Sequence, residues 1–313
     1  MDHAPLFEDI APPLSGGEAL WLRTEDGVRL RFAVWRDGGK GTVLVFPGRT
    51  EYVEKYIHVA AAMRGRGFAC AILDWRGQGL SDRLLPDRQV GHIDRFGDFQ
   101  TDAATMAAAV AELGLPGPHF ILAHSMGGCI ALRTLMDKVV PVRAAAFSGP
   151  MWGVKIPQWQ IPAAWALGHV SRRLGQGHRY VPGTGPVTYV AEAPFEDNVL
   201  TSDPEMFALM KRQVLARPEL SLGGPSLQWL NEAMVESVAL AQRPSPAVPA
   251  LTGLGTRERV VDPERVIDRM NRWPGGRLSM FEGAEHEIVM ETAAIRERFF
   301  DEAAELFSAH CGT

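Results

Sequence analysis

Short uninterrupted apolar runs, each closed by a glycine-containing turn and followed by a longer stretch with helical spacing, recur along this chain. Thr42-Val43-Leu44-Val45-Phe46 stops at Pro47-Gly48, and a helical pattern continues to about Gly65. Phe68 to Asp74, His119 to Ala123, Val142 to Phe147, Val248 to Leu254 and Leu278 to Phe281 repeat the strand half of the unit. Runs this short, rich in Val, Ile, Leu and Phe, predict strands buried on both faces. That burial requires a mostly parallel sheet with helices on either side. The Ala-rich stretch from Asp98 to Leu113 predicts one such helix, with Asp98 and Asp102 near its positive end and Gly114 and Pro116 closing it.

The alternation fails between Gly149 and about Pro249. This stretch carries Trp152, Trp159, Trp165 and Trp229, many prolines and short helical patterns, and ends in Arg243-Pro244-Ser245-Pro246, a stiff return linker. It predicts a lid inserted in the chain order of the sheet, so that 1–149 and 248–313 form one core and 150–247 a cap. The apolar start of the cap, Met151 to Leu167, either lines an acyl pocket, with Trp152 as the pocket candidate, or rests on a membrane surface. The alternative is that its tryptophans only pack the cap onto the core.

Length agrees with one large core plus an insertion, since 313 residues is about two domains' worth of chain. With 46% hydrophobic and 22% charged residues the composition is that of an ordinary globular protein. A formal net charge of −5 leaves no basic excess for a nucleic-acid backbone, which excludes that partner class. Cys70, Cys129 and Cys311 are too widely spaced for a zinc site or a disulfide framework and fit a reducing compartment. The acidic N-terminus lacks the basic start of a signal peptide, and no apolar run reaches membrane-spanning length, so a cytoplasmic chain is expected.

The chemistry centres on Ala123-His124-Ser125-Met126-Gly127-Gly128, where an apolar strand meets the helical run Cys129 to Lys138. A sharp strand-to-helix turn of this kind strains the serine backbone and lifts its Oγ above the sheet. Small residues two before and two after are needed because strand and helix come close there. Ala123 stands where such turns usually have glycine and adds only one methyl.

A free serine hydroxyl is a poor nucleophile, so the reading requires a histidine base and a carboxylate to orient it, in the order Ser, Asp/Glu, His. The loop Thr256 to Pro263, after the strand ending at Gly255, offers Glu258 and Asp262. His286, after the last strand, is the histidine that follows that loop at a strand end; His124 is expected to point into the core. The oxyanion of the intermediate needs two backbone donors. Met126 N–H is one, and Arg49 N–H, on the loop after an early strand, is the other.

Ser125 in its A-H-S-M-G-G setting, the Asp74-Trp75-Arg76-Gly77-Gln78-Gly79-Leu80-Ser81 loop, Gly48-Arg49-Thr50-Glu51 running to Tyr56, and the Glu258 and His286 loops together resemble the bacterial lysophospholipases related to monoglyceride lipases, in the α/β-hydrolase superfamily. The resemblance covers most of the chain from about Leu30 onward and is weakest in the cap. It implies an eight-stranded hydrolase core, a cap after the sixth strand, and hydrolysis of an acyl ester on a single-chain lipid. It also selects Glu258 over Asp262 as the triad acid, where many relatives have aspartate. At the oxyanion loop Pro47-Gly48-Arg49-Thr50 replaces the His-Gly-x-Gly of monoglyceride lipases, which keeps the backbone donor and changes the local charge.

The remaining motifs have plainer explanations. His92, Asp94, Asp98 and Asp102 could be grouped as a metal cluster, but carboxylates near a helix start are favoured there by the dipole. Gly77-x-Gly79 lacks the third glycine and the helix of a dinucleotide fingerprint. No metal and no organic cofactor is therefore expected. Two other classes remain open: an esterase, lactonase or peptidase acting on small non-lipid substrates, and a hydrolase-like binding protein with negligible turnover.

Overall fold

Why the site forms where it does follows from how the apolar runs stack. The computed structural model describes residues 1–312, apart from the Gln158 side chain. Its strands are β1 (Asp2–His3), β2 (Gly17–Arg23), β3 (Arg29–Trp35), β4 (Thr42–Phe46), β5 (Ala69–Leu73), β6 (His119–His124), β7 (Ala144–Ser148), β8 (Ala250–Gly255) and β9 (Gly276–Phe281). They form one sheet in the order β1-β2-β3-β5-β4-β6-β7-β8-β9. Pairing from β5 through β9 is parallel, whereas β1, β2 and β3 join it antiparallel.

The helices are α1 (Ile57–Gly65), α2 (Asp98–Glu112), α3 (Met126–Asp137), α4 (Ile161–Arg173), α5 (Tyr189–Glu192), α6 (Pro204–Ala216), α7 (Leu227–Ala241), α8 (Pro263–Asn271) and α9 (Ala293–Ser308). Successive strand residues point to opposite faces. Leu44, Phe46, Ile121, Ala123, Ala145 and Phe147 pack with α2, α3 and α8 in one core. Val43, Val45, Phe120, Leu122, Ala144 and Ala146 pack with α1 and α9 in the other. A large apolar side chain fully buried in either layer stabilises the fold by about 1.5–3 kcal/mol relative to leaving it exposed.

The sheet has one strand more than expected, because the two-residue β1 extends the antiparallel edge beyond β2. The inserted elements α4 to α7 accordingly follow β7 rather than the sixth strand. The antiparallel edge carries buried charge: the Arg31 side chain in β3 is fully buried and pairs with Glu54 and Asp74, each at 2.7 Å. The mostly parallel sheet with helices on both faces is otherwise as the apolar runs predict.

Candidate active site

Every side chain expected to take part lies at the carboxyl end of a parallel strand, where the loops leave the sheet. Ser125 joins β6 to α3 with φ 50 and ψ −118, a left-handed conformation that costs a non-glycine residue about 1–3 kcal/mol. Its neighbours explain why the turn can close. A Cβ on Gly127 would sit 2.0 Å from the Phe46 carbonyl oxygen, and one on Gly128 would sit 2.5 Å from Pro150. Ala123, by contrast, fits fully buried between Phe46 of β4 and Phe147 of β7.

Two loops converge on this turn because the backbones of β8 and the His286 loop touch. A Cβ on Gly255 would lie 2.3 Å from the Ala284 carbonyl oxygen, and Arg257 N–H donates to that oxygen at 3.0 Å. As a result Glu258 Oε2 lies 2.7 Å from His286 Nδ1, and His286 Nε2 lies 2.9 Å from Ser125 Oγ. An ionised carboxylate only accepts, so Nδ1 carries the imidazole proton and Nε2 is left to accept the serine hydroxyl. Val260 and Val261 N–H donate to Glu258 Oε1 at 2.6 and 3.0 Å, which fixes the longer glutamate side chain against its own loop.

Asp262 stands apart. It is the N-cap of α8, its carboxylate accepting from the N–H groups of Glu264 and Arg265. Burial works against charge on Glu258, but the positive charge and hydrogen bond of His286 hold its carboxyl below the ordinary value. Burial likewise disfavours a charged His286, and the Glu258 charge and hydrogen bond, with smaller help from the Glu287 and Glu51 charges, outweigh it and raise the imidazole. Each partner thus favours the ionised form of the other.

The two candidate oxyanion donors flank the serine. Met126 N–H opens α3, and Arg49 N–H follows β4; among the described residues neither has a protein acceptor. The Asp74–Ser81 loop braces this region: Trp75 Nε1 donates to Pro47 O at 2.9 Å, and Gln78 Nε2 donates to Gly48 O at 2.7 Å. Asp74 holds that loop in turn, accepting from the N–H groups of Leu80 and Val53 at 2.8 Å each. Gly79, at φ +54, has no alternative there, since a Cβ would meet Asp74 Oδ2 at 2.1 Å.

Sequence reasoning missed a buried ionic group under the serine. Lys55 Nζ sits 2.7 Å from both Glu51 Oε1 and Glu287 Oε2. The i, i+4 spacing of Glu51 and Lys55, and the placing of Glu287 next to His286, were the available signals. The donor atoms of Glu51, His124 and Glu287 converge as those of a metal site would. The Lys55 ammonium already supplies the positive charge between the two carboxylates. His124 does point inward: its Nδ1 donates to the Ser148 carbonyl at 2.8 Å, and burial pushes it down to about 3, so it is neutral. Of the His92, Asp94, Asp98 and Asp102 group, His92 stays paired with Asp94 at 3.2 Å and bonds to Ser226, while Asp98 accepts from Arg95 N–H and Asp102 from Arg76.

Ser125 and His286 open into a cavity of about 350 Å³ whose wall includes Met151, Val154, Leu200, Met210, Val214 and Trp229. Trp152, the pocket candidate, is not part of that wall. Its indole Nε1 donates to Gly128 O at 3.1 Å, and its ring stacks on Trp273 with centroids 5.8 Å apart and meets the Phe147 edge. The close packing of Gly128 against Pro150 turns the chain so that Trp152 falls back into the core behind the elbow. Among the described residues of segment 150–247, Trp229, on α7, is the tryptophan that reaches the cavity. We expect Trp152→Ala to lower stability by about 3–5 kcal/mol while leaving acyl-chain preference unchanged, measured by denaturant unfolding and by ester turnover. A change in chain preference without loss of stability would restore Trp152 to the pocket.

Comparison with known proteins adds an independent line. The family model described as serine aminopeptidase, S33, matches residues 38–293. Lysophospholipase L2 of Escherichia coli K12 is 33% identical over 299 residues, spanning 91% of this chain and 86% of that protein. A probable lysophospholipase L2 of Haemophilus influenzae is 29% identical over 255 residues, 81% of this chain and 79% of the other. Among solved structures, a soluble variant of monoglyceride lipase from Saccharomyces cerevisiae superposes with a TM-score of 0.76 at 18% identity, covering 99% of this chain and all (100%) of that one. A carboxyl esterase from Bacillus coagulans follows the same fold with a TM-score of 0.75 at 16% identity, covering 96% of this chain and 100% of the other.

Proposed function

Since the chain belongs to the family described as serine aminopeptidase, S33, whose fold is that of the α/β-hydrolases, we propose that it hydrolyses an acyl ester of a single-chain lipid through an acyl-serine intermediate. The observation that carries this reading is the hydrogen-bonded series from Glu258 through His286 to Ser125 at the floor of an apolar-walled cavity.

In the first half-reaction His286 Nε2 takes the Ser125 proton as Oγ bonds to the ester carbonyl carbon. The carbonyl oxygen becomes an oxyanion held by the N–H groups of Arg49 and Met126. The C–O bond to the alcohol then breaks, and the alcohol leaves with the proton from His286. In the second half-reaction His286 takes a proton from water, whose oxygen bonds to the acyl carbon. Collapse returns the proton to Ser125 and releases the acid. Glu258 keeps the imidazole in the required tautomer and stabilises its charged form.

The lipid part of the reading is supported by the apolar wall and by the lysophospholipase names of the similar bacterial proteins. We assign the cap role to segment 150–247, which contributes Met151, Val154, Leu200, Met210, Val214 and Trp229 to the wall. Exposed Trp159, Leu167, Val170 and Leu174, on and beside α4, suit peripheral contact with a membrane surface. No helix among the described residues is long and apolar enough to cross a membrane.

A series of p-nitrophenyl esters tests the substrate class. Each methylene that enters an apolar pocket contributes up to about 0.8 kcal/mol, or roughly fourfold in kcat/KM. We expect the specificity constant to climb well beyond butyrate before it levels off. A maximum at acetate would favour the small-ester alternative instead.

A further inference from the structure

The catalytic cavity is lined by two cations, and only one of them is neutralised. Lys55 is held between Glu51 and Glu287. Arg49 has no carboxylate within 4.0 Å among the described residues. Its Nη1 donates to the Gly223 carbonyl at 2.9 Å, and its guanidinium lies 5.5 Å from the centre of the Trp229 ring. Those two contacts, both from the cap side of the cavity, aim the side chain without balancing its charge. Burial alone pushes its pKa down to about 10, so the charge is destabilised where it sits. A guanidinium offers five N–H donors. One carbonyl uses one of them, which leaves most of the fork free in a cavity already assigned to the substrate.

We propose that the Arg49 guanidinium binds the phosphodiester of a lysophospholipid headgroup, so that one residue holds the ester oxygen by its main chain and the phosphate by its side chain. The inference rests on the lipid-ester reading of the site and deepens it to a substrate class. Bond geometry fits. In a glycerophospholipid with its acyl group on the terminal carbon, the acyl carbon and the phosphorus are six bonds apart, roughly 7 Å when extended. The Arg49 Cα and its guanidinium carbon are five bonds apart, roughly 6 Å on the same basis. Chemistry fits as well, because a guanidinium fork matches two phosphate oxygens at once and a phosphodiester neutralises a cation that a glycerol hydroxyl leaves unpaired.

Non-hydrolysable ethers test the site apart from turnover. The inhibition constants of 1-O-dodecyl-lysophosphatidylethanolamine and of 1-O-dodecylglycerol are measured against p-nitrophenyl butyrate hydrolysis, for the wild type, Arg49→Gln and Arg49→Lys. The readout is the ratio of the two constants within each protein, which cancels any change in catalysis or acyl binding. Wild type should prefer the phosphate-bearing ether by tenfold or more, Arg49→Gln should abolish that preference, and Arg49→Lys should restore part of it.

A ratio unchanged by Arg49→Gln, or a wild type with no preference, overturns the proposal. If the preference depends on Arg49 but neither ester counterpart is hydrolysed, the anion site stands and the lipid-ester reading falls. If both esters are turned over and the ratio does not depend on Arg49, the reverse holds.

Discussion

Replacing Ser125 with alanine is expected to lower kcat on every ester by about 10⁶-fold, with substrate binding largely retained. The size of the effect comes from cooperation: the imidazole 2.9 Å away has no other side-chain hydroxyl partner among the described residues, so losing Oγ removes the base's contribution together with the nucleophile's. The variant should fold as the wild type does, because the cost of φ 50 at residue 125 falls equally on alanine and serine. Single-turnover labelling with a fluorophosphonate provides the second readout. Wild type should take up one equivalent and Ser125→Ala none. Turnover that survives the substitution would mean another nucleophile, and a wild type that neither labels nor turns over any ester would support a binding protein.

Next in size is Glu258→Gln, expected to cost on the order of 10⁴-fold in kcat, as when an orienting carboxylate becomes its amide and the histidine tautomer is no longer fixed. Asp262→Asn should leave kcat near wild type and cost at most about 1 kcal/mol of stability, since it changes only the cap of α8. The reverse pattern would move the acid to Asp262. Glu258→Gln also carries a pH signature. Activity needs a neutral His286, so kcat/KM rises with pH through the imidazole's pKa. Burial lowers that pKa, and the charge and hydrogen bond of Glu258, together with the Glu287 and Glu51 charges, more than offset it, so the wild-type acid limb lies above the ordinary histidine value of about 6.5. Removing the carboxylate's charge leaves burial opposed only by the smaller contributions of the Glu287 and Glu51 charges, and the limb should move to lower pH in the residual activity.

Much of the central sheet was legible because its strands are apolar on both faces. Runs such as Thr42–Phe46 and His119–His124 have no polar face to obscure, and a glycine or serine turn ends each one. The antiparallel edge was harder to read. Arg29 and Arg31 interrupt the apolar pattern of β3, and only the fold reveals that Arg31 is buried with Glu54 and Asp74 as partners from distant positions. The two-residue β1 has no sequence signal of its own, since it is defined by pairing with Trp21 and Leu20.

Within the site the same division holds. Ser125 carries a local signature, because the strain of the elbow constrains the residues on either side of it. His286 follows from chain order. Trp152, open in the sequence to either a pocket or a packing role because an apolar aromatic at the start of an insertion suits either side of the elbow, stands outside the wall of the Ser125 cavity. The Glu51, Lys55 and Glu287 cluster was not anticipated because residues 51 and 287 meet only through the sheet.

By itself, then, the chain's order of residues determined a parallel α/β core, an insertion, a strained serine turn and the loops that bear an acid and a base, all of which are set by interactions between near neighbours. Tertiary structure put Glu258, the acid the family resemblance selects, against His286 while Asp262 caps a helix, and it alone decided that Trp229 and not Trp152 faces the cavity and that the Arg49 guanidinium has no counter-ion among the described residues. Each of those outcomes depends on distances of a few ångströms between residues far apart in the chain, and local periodicity carries no information about such distances.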